Sequence, residues 1–205
     1  MAIKFQYNKT SLQQVEKQLK MRERSLPTIK SKESALRMEV KRTKNEVVRL
    51  EHQLEDEIKN YENMLSLWKE FSPELIRVKD IDISSRKIAG VIVPLLSRID
   101  FGVKDFSLFN SPAWFVDGIE LLKQLAKTGI ESEFAGVRLE LLEHARKKTT
   151  QKVNLFEKVQ IPGYQDAIRK IKRYMEDEES LSKSSQKIMR ANLEKRKIKE
   201  EEADR

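Results

Sequence analysis

The chain has 205 residues, of which 36% are charged and 39% hydrophobic; that is too charged for one large core and too regularly patterned for disorder. It carries a net charge of +8 and no cysteine, so disulfides and thiolate metal sites are excluded and a reducing compartment suits it. No apolar run of about 18 residues and no signal-peptide core occur, so no direct membrane insertion is expected and any membrane link goes through partners.

Residues 1–9 read as a short, frayed lead-in, with Asn8, Thr10 or Ser11 placed to cap a helix. From Leu12 to Trp68 the chain then steps in alternating strides of three and four through Leu12, Val15, Leu19, Arg22, Leu26, Ile29, Glu33, Leu36, Val40, Thr43, Val47, Leu50, Leu54, Glu57, Tyr61, Met64 and Trp68. All but four of these are apolar, and the residues between them are mostly Lys, Arg, Glu, Gln, Asn or Ser. The mean repeat of about 3.5 is that of a coiled coil, whose narrow seam is buried only against another helix. Such a helix would be roughly 85 Å long, so a rod is expected rather than a globule. Pro27 falls within the pattern but leaves its phase intact, which predicts a kink or a break between two coaxial helices; a hinge is the sharper alternative.

The helical pattern stops at Phe71-Ser72-Pro73. Asp80 to Ser84 alternates apolar and polar, and Lys87 to Pro94 is a β-branched run; this predicts a hairpin turning at Ser84-Ser85-Arg86-Lys87, with Pro94 ending the ladder. An isolated hairpin is marginal in water. The aromatic residues Trp68, Phe71, Phe101, Phe106, Phe109, Trp114 and Phe115 are close enough in sequence to form a small knob beneath it, where the chain turns back. Residues 95–112 read as loop, and Ser111-Pro112 as a helix start. Helical periodicity resumes through Ile119, Leu122, Leu125, Phe134, Val137, Leu141, Leu142, Ala145, Val153, Phe156, Val159, Ile168, Ile171, Met175, Leu181 and Ile188. Thr128-Gly129 is a possible local break, and Pro162-Gly163 a kink or interruption.

The expected fold class is therefore mainly α: a long antiparallel two-helix coiled coil formed within one chain, with a short central β-hairpin knob. Its parts are an N-terminal shaft helix (1–72), the hairpin and loop knob (73–112) and a C-terminal arm (113–205). Leu36, Val40, Val47, Leu50, Leu54, Ile168 and Ile171 are the seam, and antiparallel pairing would set residues near 20 opposite residues near 185. A parallel homodimer of the first arm is the alternative, but it leaves the second arm unpaired.

Charge is unevenly spread. Residues 1–44 hold 12 basic and 4 acidic residues, residues 45–72 hold 3 and 7, and residues 183–199 hold 7 basic residues and only Glu194. A basic face can attract nucleic acid, an acidic protein or anionic lipid, or be simply a solvated helix surface. No catalytic, cofactor or metal site is found: there is no glycine-rich phosphate loop, His52 and His144 lie far apart, and Glu176 to Glu179 point different ways around a helix. A non-enzymatic chain is expected.

Three segments resemble a known family. Ile29-Lys30-Ser31-Lys32-Glu33-Ser34-Ala35-Leu36, Lys87-Ile88-Ala89-Gly90-Val91-Ile92-Val93-Pro94, and Lys152-Val153-Asn154-Leu155-Phe156-Glu157 followed by Ile161-Pro162 are similar in order and spacing to motifs of the D subunits of V-type and archaeal A-type rotary ATPases. The likeness covers roughly residues 10–190; Gly163 departs from it, since the family usually continues there with good helix formers. The resemblance implies a central rotor shaft that couples ATP hydrolysis or synthesis in a catalytic ring to proton or sodium transport through a membrane ring. It implies as partners the nucleotide-binding A and B subunits, the small F subunit of the stalk and a membrane-ring adaptor, on the cytoplasmic side of a membrane. In that setting Lys20, Arg22, Arg24, Lys183, Lys187 and Arg190 are candidate bearing contacts, and Ile81, Ile83, Val91 and Val93 candidates for the knob and its partner surface.

A coiled-coil adaptor or tether would explain the seam but not the central β segment. A nucleic-acid-binding coiled coil would want aromatic residues among the terminal basic clusters, and none interleave there. The γ-type shaft of F-type ATP synthases would want an α/β domain where residues 73–112 stand.

Overall fold

A computed structural model describes residues 3–61, 75–105, 112 and 114–203, with side chains as far as Arg196. The order is helix α1 (Lys9–Asn60), strands β1 (Ile76–Ile88) and β2 (Val91–Val103), helix α2 (Phe115–Asn154), a π-helical segment (Leu155–Gln160) and helix α3 (Ile161–Ala203). The fold is mainly α, with helices paired antiparallel within one chain beside a two-stranded antiparallel hairpin. Two compact units are present: Met1–Lys30 with Gln151–Arg205, and Ser31–Thr150.

Helix α1 is a single element through Pro27, so of the expected kink or break the break is absent. Proline removes only one ladder hydrogen bond, and Leu26 and Ile29 on either side remain partly buried. Every seam position from Leu12 to Tyr61 is buried or half-buried, including Arg22, Glu33, Thr43 and Glu57. Leu36, Val40 and Leu50 are buried, while Val47 and Leu54 are half-buried. Met64 and Trp68 lie outside the described residues.

In the first unit Asn8 caps α1: the Ser11 amide donates to Asn8 Oδ1 at 2.7 Å and the Leu12 amide to its carbonyl at 3.0 Å. The lead-in is docked rather than frayed. Phe5 packs on the Val15, Ala167 and Ile171 cluster, and Tyr7 stacks between Phe5 and Tyr174 at 5.4 and 4.8 Å between ring centres. The half-buried Phe5 ring and the ring contacts of the exposed Tyr7 offset the chain entropy of so short a segment. Pairing runs Glu16 to Lys172 (3.5 Å), Arg22 to Gln160 (2.7 Å) and Lys30 to Glu157 (2.7 Å), rising on one helix and falling on the other. Residues near 20 therefore face Gln160 to Ala167, not residues near 185.

The second arm is interrupted just before Pro162, by a π turn. The Ile161 amide donates to the Phe156 carbonyl, five residues back, and Pro162 has no amide with which to continue an α ladder. One row of partly or fully buried positions steps Val153, Phe156, Gln160, Tyr164, Ala167, Ile171, with two successive strides of four. The π turn thus absorbs one extra residue and keeps both flanks facing their partner. At Thr128-Gly129 α2 is unbroken.

In the second unit α1 and α2 pair antiparallel through Glu33 with Thr150 (3.1 Å), Leu36 with Leu142, Arg138 with Glu46 (3.5 Å) and Gln124 with Glu57 (3.5 Å). The hairpin is longer than expected and turns elsewhere. Its two central residues are Ala89 and Gly90, at φ +47° and +80°, the doubly left-handed pair that matches strand twist. Pro94 sits inside β2 opposite Ser85, and residues 95–103, expected as loop, extend the ladder. In a two-stranded ribbon both strands are edges, so a missing amide on the outer side is tolerated. The hairpin lies against the helices at both of its ends. Its turn end packs on the helices, with Val93 fully buried among Leu36, Val40 and Leu142, and at its open end Leu75 packs on Phe115 and Ile119. Trp114 joins that second cluster; Trp68, Phe71, Phe106, Phe109 and the cap Ser111 lie outside the described residues.

Candidate partner-binding surfaces

Helix α3 outruns its partner. Among the described residues the last to pack is Met175, against the cluster around Val15 and Leu12, and every side chain from Glu176 to Arg196 is exposed. The exposed set includes Leu181 at 70% and Ile188 at 63%, amid Lys183, Lys187 and Arg190. Lys183 is held locally, 2.7 Å from Glu179, and its ammonium keeps that carboxyl below the ordinary range. Lys20 and Arg24 are also exposed, on α1.

Arg22 stands apart from the other basic candidates because it is engaged within its own unit. Its guanidinium donates to Gln160 Oε1 at 2.7 Å and to the Gln18 carbonyl at 3.1 Å. It lies 4.7 Å from the Tyr164 ring centre and 5.9 Å from that of Phe156. Stacking and a planar donor fork are uses that a lysine would not serve. The spacing of Arg22 within an apolar seam signals an internal role, but nothing in sequence points to the π segment as its partner.

The hairpin offers a second surface. Ile83 and Ile92 are 60% and 69% exposed, Val78 and Val103 are exposed as well, and Ile81 and Val91 are half-buried. Among the four predicted knob residues, Val93 is wholly committed to the helix pair. Ile92, which the sequence pattern does not single out, faces outward because the turn lies at Ala89-Gly90 and sets the alternation from there.

Among the described residues no group of three or more His, Cys, Asp or Glu side chains could hold a metal ion, and no helix is long and apolar enough to cross a membrane. Paired helical arms, a flanking hairpin and surfaces of exposed charge and scattered apolar residues define the class of antiparallel coiled-coil proteins. Within it the match is specific: the family of ATP synthase D subunits covers residues 11–191. A V-type ATP synthase D subunit from Borreliella burgdorferi is 34% identical over 194 residues, 93% of this chain and 95% of the relative. Proteins of the same description from Chlamydia muridarum and Chlamydia pneumoniae are 29% and 25% identical, covering 84% and 98% of this chain and 87% and 99% of theirs. The chain belongs to the ATP synthase D-subunit family.

Proposed function

We propose that this chain is the central shaft of a V-type or A-type rotary ATPase, a non-catalytic component that carries torque between a nucleotide-hydrolysing head and an ion-conducting membrane ring. The observation that carries the reading is the overrun of α3: a helix with basic and apolar side chains that no described residue of its own unit covers. Seated in a ring of nucleotide-binding A and B subunits, Lys20, Arg24, Lys183, Lys187 and Arg190 would supply the bearing contacts. Exposed cations of this kind make shallow, screened contacts worth about 0–1 kcal/mol each, which suits a surface that must slip. Arg22 would act from within, fixing the pairing of the two arms. A pair of helices from one chain also lacks the two-fold symmetry of a homodimer, so otherwise equal head sites would meet different faces.

The outward hairpin residues Ile83 and Ile92, with the half-buried Ile81 and Val91, would receive the small F subunit of the stalk or the membrane-ring adaptor. Attachment to the membrane would be peripheral, on its cytoplasmic side. The chain has no native cysteine, so Lys187→Cys creates a unique site for a maleimide photo-crosslinker. In the complex purified from native membranes, illumination is expected to join this chain to a nucleotide-binding subunit and to stop ATP hydrolysis. Recovery of the chain alone or with DNA, with no nucleotide-binding subunit, would overturn the reading.

A further inference from the structure

In the second unit a cavity of about 350 Å³ is walled by α1, β1 and α2. Glu39, Arg42 and Glu46 line it from one face of α1, Arg86 and Lys87 from β1, and Arg138 from α2. Arg86 is cross-strand partner to Val93, which is buried against the helices, so the residue lies on the helix-facing side of the hairpin.

The charges do not balance. The guanidinium groups of Arg42, Arg86 and Arg138 meet two carboxylates, while Lys87, cross-strand partner of the outward-facing Ile92, borders the cavity from the other face of the hairpin. Among the described residues Arg42 and Arg86 form no ion pair or side-chain hydrogen bond. Arg138 is only 16% exposed; its Nη2 reaches Glu46 at 3.5 Å, and its Nε is buried with no hydrogen-bond partner. An unmatched guanidinium donor out of water is costly, and like charges around a partly closed space repel. One small dianion would answer both. The guanidinium fork matches phosphate oxygens in pairs. Ile88 is the only apolar residue in the lining and there is no aromatic ring, so nothing there would receive a nucleobase. The volume is at the low end of ligand pockets.

We propose that this cavity binds a compact phosphate-class oxyanion, inorganic phosphate or pyrophosphate. The site is independent of the shaft reading and would stand if that reading failed.

Isothermal titration of the full-length chain with each anion, at fixed ionic strength in chloride, tests it. Saturable one-to-one binding is expected, tighter for whichever anion fills the space. Arg42→Gln and Arg86→Gln alter exposed side chains, so the fold should survive, as circular dichroism would verify. Each is expected to weaken binding by about tenfold, as befits loss of a charge-assisted contact. Glu39→Gln removes a repelling carboxylate and is expected to tighten binding, whereas Lys170→Gln, an exposed change in the other unit, leaves it unaltered. No saturable heat below about 10 mM of either anion, where affinity falls to a few kcal/mol, would overturn the proposal. So would arginine variants that bind as the Lys170 variant does.

Discussion

Glu33 occupies a seam position where an apolar side chain would pack, yet its carboxylate is well served. Arg37 Nη2 donates to it at 2.8 Å and Thr150 Oγ1 at 3.1 Å across the helix pair. These bonds, Arg37 first, hold its pKa below the ordinary glutamate value of 4.5. A depressed pKa means that the unfolded chain takes up the proton more readily. The stability Glu33 contributes is therefore present above pH 4.5 and lost as pH falls through the lower folded value. Urea midpoints measured from pH 7 downward should show the wild type losing ground to Glu33→Gln below that point. Gly90 is constrained by its backbone: at φ +80°, with Lys32 Nζ 3.2 Å from where a Cβ would stand, Gly90→Ala should destabilise by about 1 kcal/mol. A thermal melt reads it directly. At this scale the sequence announced that Arg22, Glu33 and Thr43 break the apolar seam, but not what would satisfy them. Partners such as Gln160 and Thr150 lie more than a hundred residues away and follow only once the pairing register is known.

Elements were legible in proportion to the length of their pattern. The seam of α1 could be read residue by residue because fourteen positions within it repeat one rule. Leu36 and Leu142 meet across it fully buried, and truncating either to Ala should cost about 2–5 kcal/mol in chemical denaturation. The hairpin was legible only as a hairpin. Its turn was misplaced because Ser84 to Lys87 has turn-like composition, whereas Ala89 is a poor advertisement for positive φ and Pro94 looks like a strand end. Its site against the helices was hidden too, since the β-branched run Val91-Ile92-Val93 does not declare that only Val93 goes inward. The π segment was foreshadowed by Pro162-Gly163 as a kink or interruption, though not as a π turn. Because it carries one surplus residue, deleting exposed Leu155 should leave the flanking seams in phase. Such a variant is expected to melt within about 1 kcal/mol of wild type, whereas deleting Leu142 from regular helix should cost several times more.

For the molecule as a whole, family membership and the uneven charge point to work done through partners. Ending the chain after Ser180 removes residues none of which up to Arg196 is buried, so its melting temperature should be unchanged. In a reconstituted complex the same truncation should uncouple ATP hydrolysis from ion flow, measured as ATPase rate against ion uptake. That separation would distinguish a tip that serves the assembly from one that serves the fold. The overrun also has a mechanical consequence. Two helices locked side by side resist flexure far more than either alone, because bending must stretch one and compress the other. Past Met175 that cross-bracing ends and α3 continues as a lone cylinder, held by local ladders and pairs such as Glu179 with Lys183. Elastic compliance in this unit is therefore concentrated in its last stretch, so a load applied there bends the end before it strains the braced section.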